Sequence, residues 1–245
     1  MRQLSGLISS EPAFSSEVLT LANSALYARR FPISSVLQAI AVLGTNTLKG
    51  LCLTVGVRAY LGDSLSHLSL RAIWRHSLAC ALVAQQLARA GSMDADAAYT
   101  AGILHDIGRL VLAVISPKEY VALLETHSGS ARSALQAERE LFGFDHCEAG
   151  LHLITDWKLP AGFEAIVSRH HAPRQRGDPW RMPDLINMSC RMADSAGFSV
   201  FEGCEVTPFS DLLEELPDRE RGRFCPDVEL LAFELSSKIN AADFV

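Results

Sequence analysis

The chain lacks most of the features that assign a protein quickly. Its six cysteines, at positions 52, 80, 147, 190, 204 and 225, form no CxxC pair, and several lie in apolar runs. That pattern suits buried free thiols in a reducing compartment better than a disulfide framework. No run approaches the roughly 18 apolar residues of a membrane span, and the opening MRQLSGLISSEPAF lacks the continuous apolar stretch of a signal peptide. Basic charge is not in surplus either. With 22 Lys and Arg against 28 Asp and Glu, the net charge of −6 argues against a nonspecific nucleic-acid binder. Long alternating strand patterns, internal repeats and low-complexity tracts are absent. These absences lead us to expect a cytoplasmic protein with neither a membrane nor a nucleic-acid partner.

What remains is an ordinary globular composition, 49% hydrophobic and 20% charged over 245 residues, with enough chain to bury a real core. Helical periodicity dominates it. The apolar positions Val18, Leu19, Ala22, Ala25 and Leu26 predict a helix over 15–27, and Ser34 or Ser35 is placed to cap a second one ending at Leu43. Further helices are expected over 45–60 (its β-branched residues leaving a strand open), over 70–90, from Asp94 to the HDIG stretch, over 110–115, over 117–126 with Pro117 in its first turn, and over 130–142. Asp145 and Glu148 have the spacing of a capping box for a helix reaching Trp157. A helix begun by Leu159-Pro160 should end at His170-His171, and others should cover 184–196 and 227–242. The proline-, glycine- and arginine-rich stretch 172–183 reads as a surface loop. The expected fold is all-α and two-lobed: an N-terminal helical lobe over 1–62, a second lobe over 63–200 and a helical extension over 201–245.

The chemistry-bearing residues concentrate in the second lobe. His105-Asp106 lies in AGILHDIGR, where an apolar helix meets a glycine. His76 precedes it, and His146, His170, His171 and Asp194 follow. Each has an ordinary role when taken singly: core histidine, helix cap or exposed carboxylate. Together they are imidazoles and carboxylates on separate helices or helix ends, with apolar flanks that can enter a core. Polar groups brought into a core need partners, and a divalent metal supplies one. His67, His127 and His152 fall outside this set.

The order of a first histidine, an HD pair and a distant aspartate resembles the HD-domain metal-dependent phosphohydrolases, matched by His76, His105-Asp106 and Asp194. The chain is more similar still to the HDOD domain family. LANSALYARRFPISSVLQAIAVLGTNTLKGL, WRHSLACALVAQQLA, AGILHDIGRLVL, FDHCEAGLHLITDWKLP and AIVSRHH carry that resemblance, over roughly 7–200. The chain enters the family pattern about one helix late, from which a start downstream of the natural one is expected. The resemblance implies a helical N-terminal lobe joined to an HD-like lobe, in a family of bacterial signalling proteins whose members often lose HD ligands and act as interaction modules.

Here all four HD positions are kept. His146 and His170-His171 also match the extra histidines of the HD-GYP cyclic di-GMP phosphodiesterases. Two HD-GYP features are missing: Ala172 stands in place of the glutamate after the paired histidines, and Gly177-Asp178-Pro179-Trp180 in place of Gly-Tyr-Pro. Arg109 replaces their lysine, and its planar fork is not equivalent to an ammonium. The resemblance thus implies a divalent transition metal, iron or manganese, mono- or dinuclear, held by His76, His105, Asp106, His146, His170, His171 and Asp194. Two functions follow. One is a regulatory module that binds a signalling partner or ligand and retains a metal. The other is a phosphohydrolase acting on a cyclic dinucleotide or another phosphoester, with Asp106 bridging the metals, Arg109 stabilising phosphoryl charge, and Arg174, Arg176 and Arg181 steering the anion.

Overall fold

The structure, a computed structural model, describes residues 2–10, 12–23, 32–44, 48, 52, 68–160, 162–172, 174, 179–201, 203–224 and 227–243. All regular elements among them are helices, as the periodicity predicts. The chain divides into two compact units, Met1–Gly62 with Leu230–Val245, and Asp63–Glu229.

In the first unit α1 (Arg2–Ser9), α2 (Pro12–Asn23) and α3 (Val36–Leu43) pack on one another, burying Val18, Ala22, Ile33, Val36, Ala39 and Ile40. Ser35 is the cap of α3, its hydroxyl accepting from the Gln38 N–H. The Asn23 amide fixes the turn before it, donating to the Ile33 carbonyl and accepting from the Ile33 N–H. Of the helix expected over 45–60, only Leu48 and Cys52 are among the described residues, and both are helical.

The second unit is built on α4 (Leu68–Gly91). Every residue from Ser77 to Ala84 is buried, and Leu87 and Ala88 beyond them, which makes it the central helix of this unit. Against it packs α5 (Ala95–Leu104), capped by the Asp94 carboxylate. The helices approach closely at Gly102, where a Cβ would lie 2.4 Å from the Ala81 Cα. Then follow α6 (Ile107–Ile115), α7 (Pro117–Thr126), α8 (Ala131–Phe142), α9 (His146–Asp156), α10 (Phe163–Arg169), α11 (Met182–Ser195), α12 (Phe209–Glu215) and α13 (Asp218–Arg221). The expected Asp145–Glu148 capping box opens α9. The final helix, α14 (Val228–Asp243), belongs to the first unit from Leu230 onward.

Several boundaries differ from expectation, for local reasons. The glycine of HDIG does not stop a helix; α6 starts at Ile107 and runs through it. Lys158 (φ 52°) and Gly162 (φ 111°) adopt left-handed backbone, which holds the chain out of helix until Phe163. Asp184 accepts from the Arg181 N–H, so it is the third residue of α11 rather than its start. The stretch Ala95–Ile115 reaches a mean hydropathy of 1.4 and is as long as a membrane span. It is, however, interrupted at His105-Asp106 and is 78% buried within the protein, as a core element is.

Candidate metal centre

Asp106 stands at the N-cap position of α6, yet its carboxylate makes no capping bond. It points inward instead, and four imidazoles meet it through their Nε2 atoms. His146 (3.2 Å) and His170 (3.1 Å) approach Oδ1; His105 (3.7 Å) and His76 (3.9 Å) approach Oδ2. All five side chains are buried. The histidines are oriented by one repeated device. His105 Nδ1 donates to the Gly102 carbonyl (2.6 Å), His170 Nδ1 to the Val167 carbonyl (2.9 Å) and His76 Nδ1 to the Phe198 carbonyl (2.8 Å). His146 Nδ1 donates to the Glu138 carboxylate at 2.6 Å. A carbonyl or carboxylate can only accept, so each Nδ1 carries a proton, and each ring turns its Nε2 toward the centre. This is the arrangement by which outer groups orient metal-binding histidines.

Close helix packing brings the parts together. A Cβ on Gly108 would lie 1.8 Å from the His146 carbonyl oxygen and 2.6 Å from the Gly150 nitrogen. Only a glycine there lets α6 and α9 come near enough for His146 to reach Asp106. His171 adds its Nε2 at 3.0 Å from that of His146. Two nitrogens on one tetrahedral ion would be separated by about 3.3–3.4 Å, given metal–nitrogen bonds of about 2.0–2.1 Å. His146 and His170 Nε2 are 3.4 Å apart. The His105 Nε2 has no hydrogen-bond partner although its ring is fully buried. An orphaned lone pair of this kind is costly unless something binds it. The donor set therefore fits a divalent transition metal.

The electrostatics divide the donors: Asp106 and His105 are held in the forms that bind a metal, whereas a metal at His146 must displace a proton. Burial pushes the Asp106 carboxyl up, but Arg109, His105 and His146 outweigh it and hold it well below the ordinary range. Burial, with Asp106 only partly opposing it, pushes His105 down to about 3. His146 is raised despite burial and Arg109, because Glu138 and Asp106 flank it.

Arg109 does not face an open site. Its guanidinium donates to Asp106 (2.8 Å), Glu138 (2.9 Å) and Tyr120 (3.1 Å), and the Phe201 ring covers it at 5.1 Å. Asp194 is brought beside His76, but its carboxylate meets Nδ1 at 3.4 Å rather than the converging nitrogens. Burial raises its pKa to about 6 against the opposing pull of His76. Arg174 and Arg181 line a separate cavity of about 780 Å³ between α5, α10 and the start of α11, which none of the converging histidines lines. Arg176, Gly177 and Asp178 lie outside the described residues, as does His67. His127 packs edge-on against Phe201, and His152 is exposed. Sequence reasoning did not find Glu138, Tyr120, Phe198, Phe201 or Cys190. Glu138 and Tyr120 anchor Arg109 and His146, and Cys190 Sγ lies 3.4 Å from His76 Nε2.

The HDOD domain profile matches residues 1–173. The chain belongs to the HDOD domain family. An uncharacterized protein of Treponema pallidum (strain Nichols) is 24% identical over 194 residues, 77% of this chain; the chain spans 37% of that protein's length. An HDOD domain protein of unknown function from Geobacter sulfurreducens has a similar structure, with TM-score 0.64 and 26% identity, over 98% of this chain and 83% of that one. A protein from Shewanella amazonensis SB2B, a phosphohydrolase by name, matches at TM-score 0.68 and 22% identity, over 99% and 86% of the two chains. At that identity the likeness concerns the fold. The HDOD match ends before α11, so Asp194 lies beyond it.

Proposed function

We propose that this HDOD domain is a cytoplasmic regulatory module that binds a signalling partner or ligand and keeps a metal centre as a brace or sensor. The observation that carries this reading is enclosure. Of the converging donors only His171 reaches a larger cavity, of about 440 Å³; among the described residues the cavity against Asp106, Arg109 and His76 holds only about 20 Å³, walled by Ser199, Val200 and Phe201. That is room for about one water molecule, whereas a site for a phosphoester ligand needs some 300 Å³ or more. Arg109, the group best suited to a phosphoryl oxygen, is already paired with two carboxylates and covered by Phe201.

His146, His170 and His171 would hold a metal on the Oδ1 side of Asp106, and His76 and His105 on the Oδ2 side, with Asp106 between them. Such an ion supplies Lewis acidity to a bound oxygen. The intact donor set favours the second reading, metal-dependent hydrolysis of a cyclic dinucleotide or other phosphodiester. Metal analysis of protein purified without chelator, followed by assay on bis(p-nitrophenyl) phosphate and cyclic di-GMP, separates the two. We expect bound iron or manganese and no turnover. Turnover that disappears in His105→Ala and Asp106→Ala would replace the module reading with the enzyme. Protein that is metal-free and equally stable in chelator would remove the metal from both.

A further inference from the structure

Cys190 lies on α11, one helical turn before Asp194, and is buried against α4. Its Sγ is 3.4 Å from His76 Nε2, the nitrogen that faces Asp106. One donor atom each from Cys190, His76 and His105 lies within 4.8 Å of the other two. Zinc-type bonds of about 2.3 Å to sulfur and 2.0–2.1 Å to nitrogen, at a tetrahedral angle, separate the two donors by about 3.5 Å. The observed separation matches that edge. A buried thiol alone would be core filling. What distinguishes this one is the orphaned His105 Nε2, fully enclosed in a residue of the same donor group. Asp194 lines the small cavity as well, but its carboxylate meets His76 at Nδ1 rather than at the nitrogen that faces Cys190.

We propose that Cys190 is a ligand of the metal centre, so that the His76–His105 side is a nitrogen–sulfur site in which a thiolate replaces the carboxylate of Asp194. This rests on the reading that the centre binds metal. On binding, the Sγ–H bond is exchanged for a sulfur–metal bond and the proton leaves to solvent. A soft donor favours zinc or ferrous iron on that side over manganese, which prefers oxygen. The other side offers three imidazoles and the Asp106 oxygen, with the Cys147 thiol within 4.8 Å of those imidazoles, so the assignment turns on which thiol binds.

The test uses the full chain, stripped of metal and reloaded with Co²⁺. We expect the visible bands of bound Co²⁺ together with a near-ultraviolet thiolate-to-cobalt band. Cys190→Ser should lose the thiolate band and keep visible bands, whereas Cys147→Ser and Asp194→Asn should keep both. Visible bands without a thiolate band in the native protein, or a thiolate band that survives in Cys190→Ser, would overturn the assignment while leaving the metal reading intact. A native protein that binds no Co²⁺ would overturn both. Because Cys190→Ser perturbs a core position, X-ray absorption of the zinc-loaded native protein gives a second reading: a sulfur neighbour at about 2.3 Å is expected, and nitrogen and oxygen neighbours alone would refute it.

Discussion

Glu138 accepts four hydrogen bonds inside the protein: from the Arg109 guanidinium, the Tyr120 hydroxyl, the His146 backbone N–H and the His146 ring. Glu138→Gln preserves the shape but removes a charge on which a buried arginine depends. We expect a loss of about 3–5 kcal/mol in urea unfolding and a 10- to 100-fold weaker metal, since both Arg109 and the tautomer of His146 are set there. The exposed pair Arg221–Asp218 is the internal comparison; Arg221→Ala should cost less than about 1 kcal/mol. The histidines and Asp106 were legible in the sequence because residues of those types so rarely enter apolar segments without a partner. Glu138 was not, because it sits in a helix whose pattern reads as amphipathic with a polar face, and one position of that face is turned inward. Cys190 read as a core thiol for the same reason. Periodicity tells which side of a helix is buried, but not which atom on the neighbouring helix it meets.

At the level of elements, the crossing of α6 and α9 is the step that assembles the centre. Gly108→Ala would drive a methyl into the His146 carbonyl, so the helices must separate. Overpacking of this kind typically costs about 1–3 kcal/mol. We also expect weaker metal binding, because the shift is passed directly to the His146–Asp106 contact; thermal unfolding and a metal titration measure the two effects. Gly6→Ala in α1 meets nothing within 4 Å and should instead stabilise by up to about 1 kcal/mol. The glycine of HDIG also shows why element positions were easier to read than their limits. In sequence a glycine after an apolar helix is a stop signal. Here its lack of a side chain serves a neighbouring helix, a requirement invisible to local rules. Caps that act within a few residues, at Ser35 and Asp145, were legible because nothing distant competes with them.

Across the whole molecule, the donors are confined to the unit Asp63–Glu229. A bound metal should therefore stabilise that unit selectively. At a free metal concentration 100-fold above its dissociation constant the gain is about 2.7 kcal/mol. For a unit of this size that corresponds to a rise of about 5–10 °C in its melting temperature, checked by calorimetry with and without chelator. Two transitions, of which only one moves on chelation, are the expected signature.

The segment that walls the centre has a further consequence. Phe198 supplies the carbonyl that holds His76, and Phe201, three residues on, covers Arg109. Lifting this segment would uncover the arginine and release the histidine in one movement. Any molecule that binds better to the lifted form thereby competes with the metal without touching it, and thermodynamic reciprocity makes the antagonism equal in both directions. The metal load of the protein would then record whether that molecule is present.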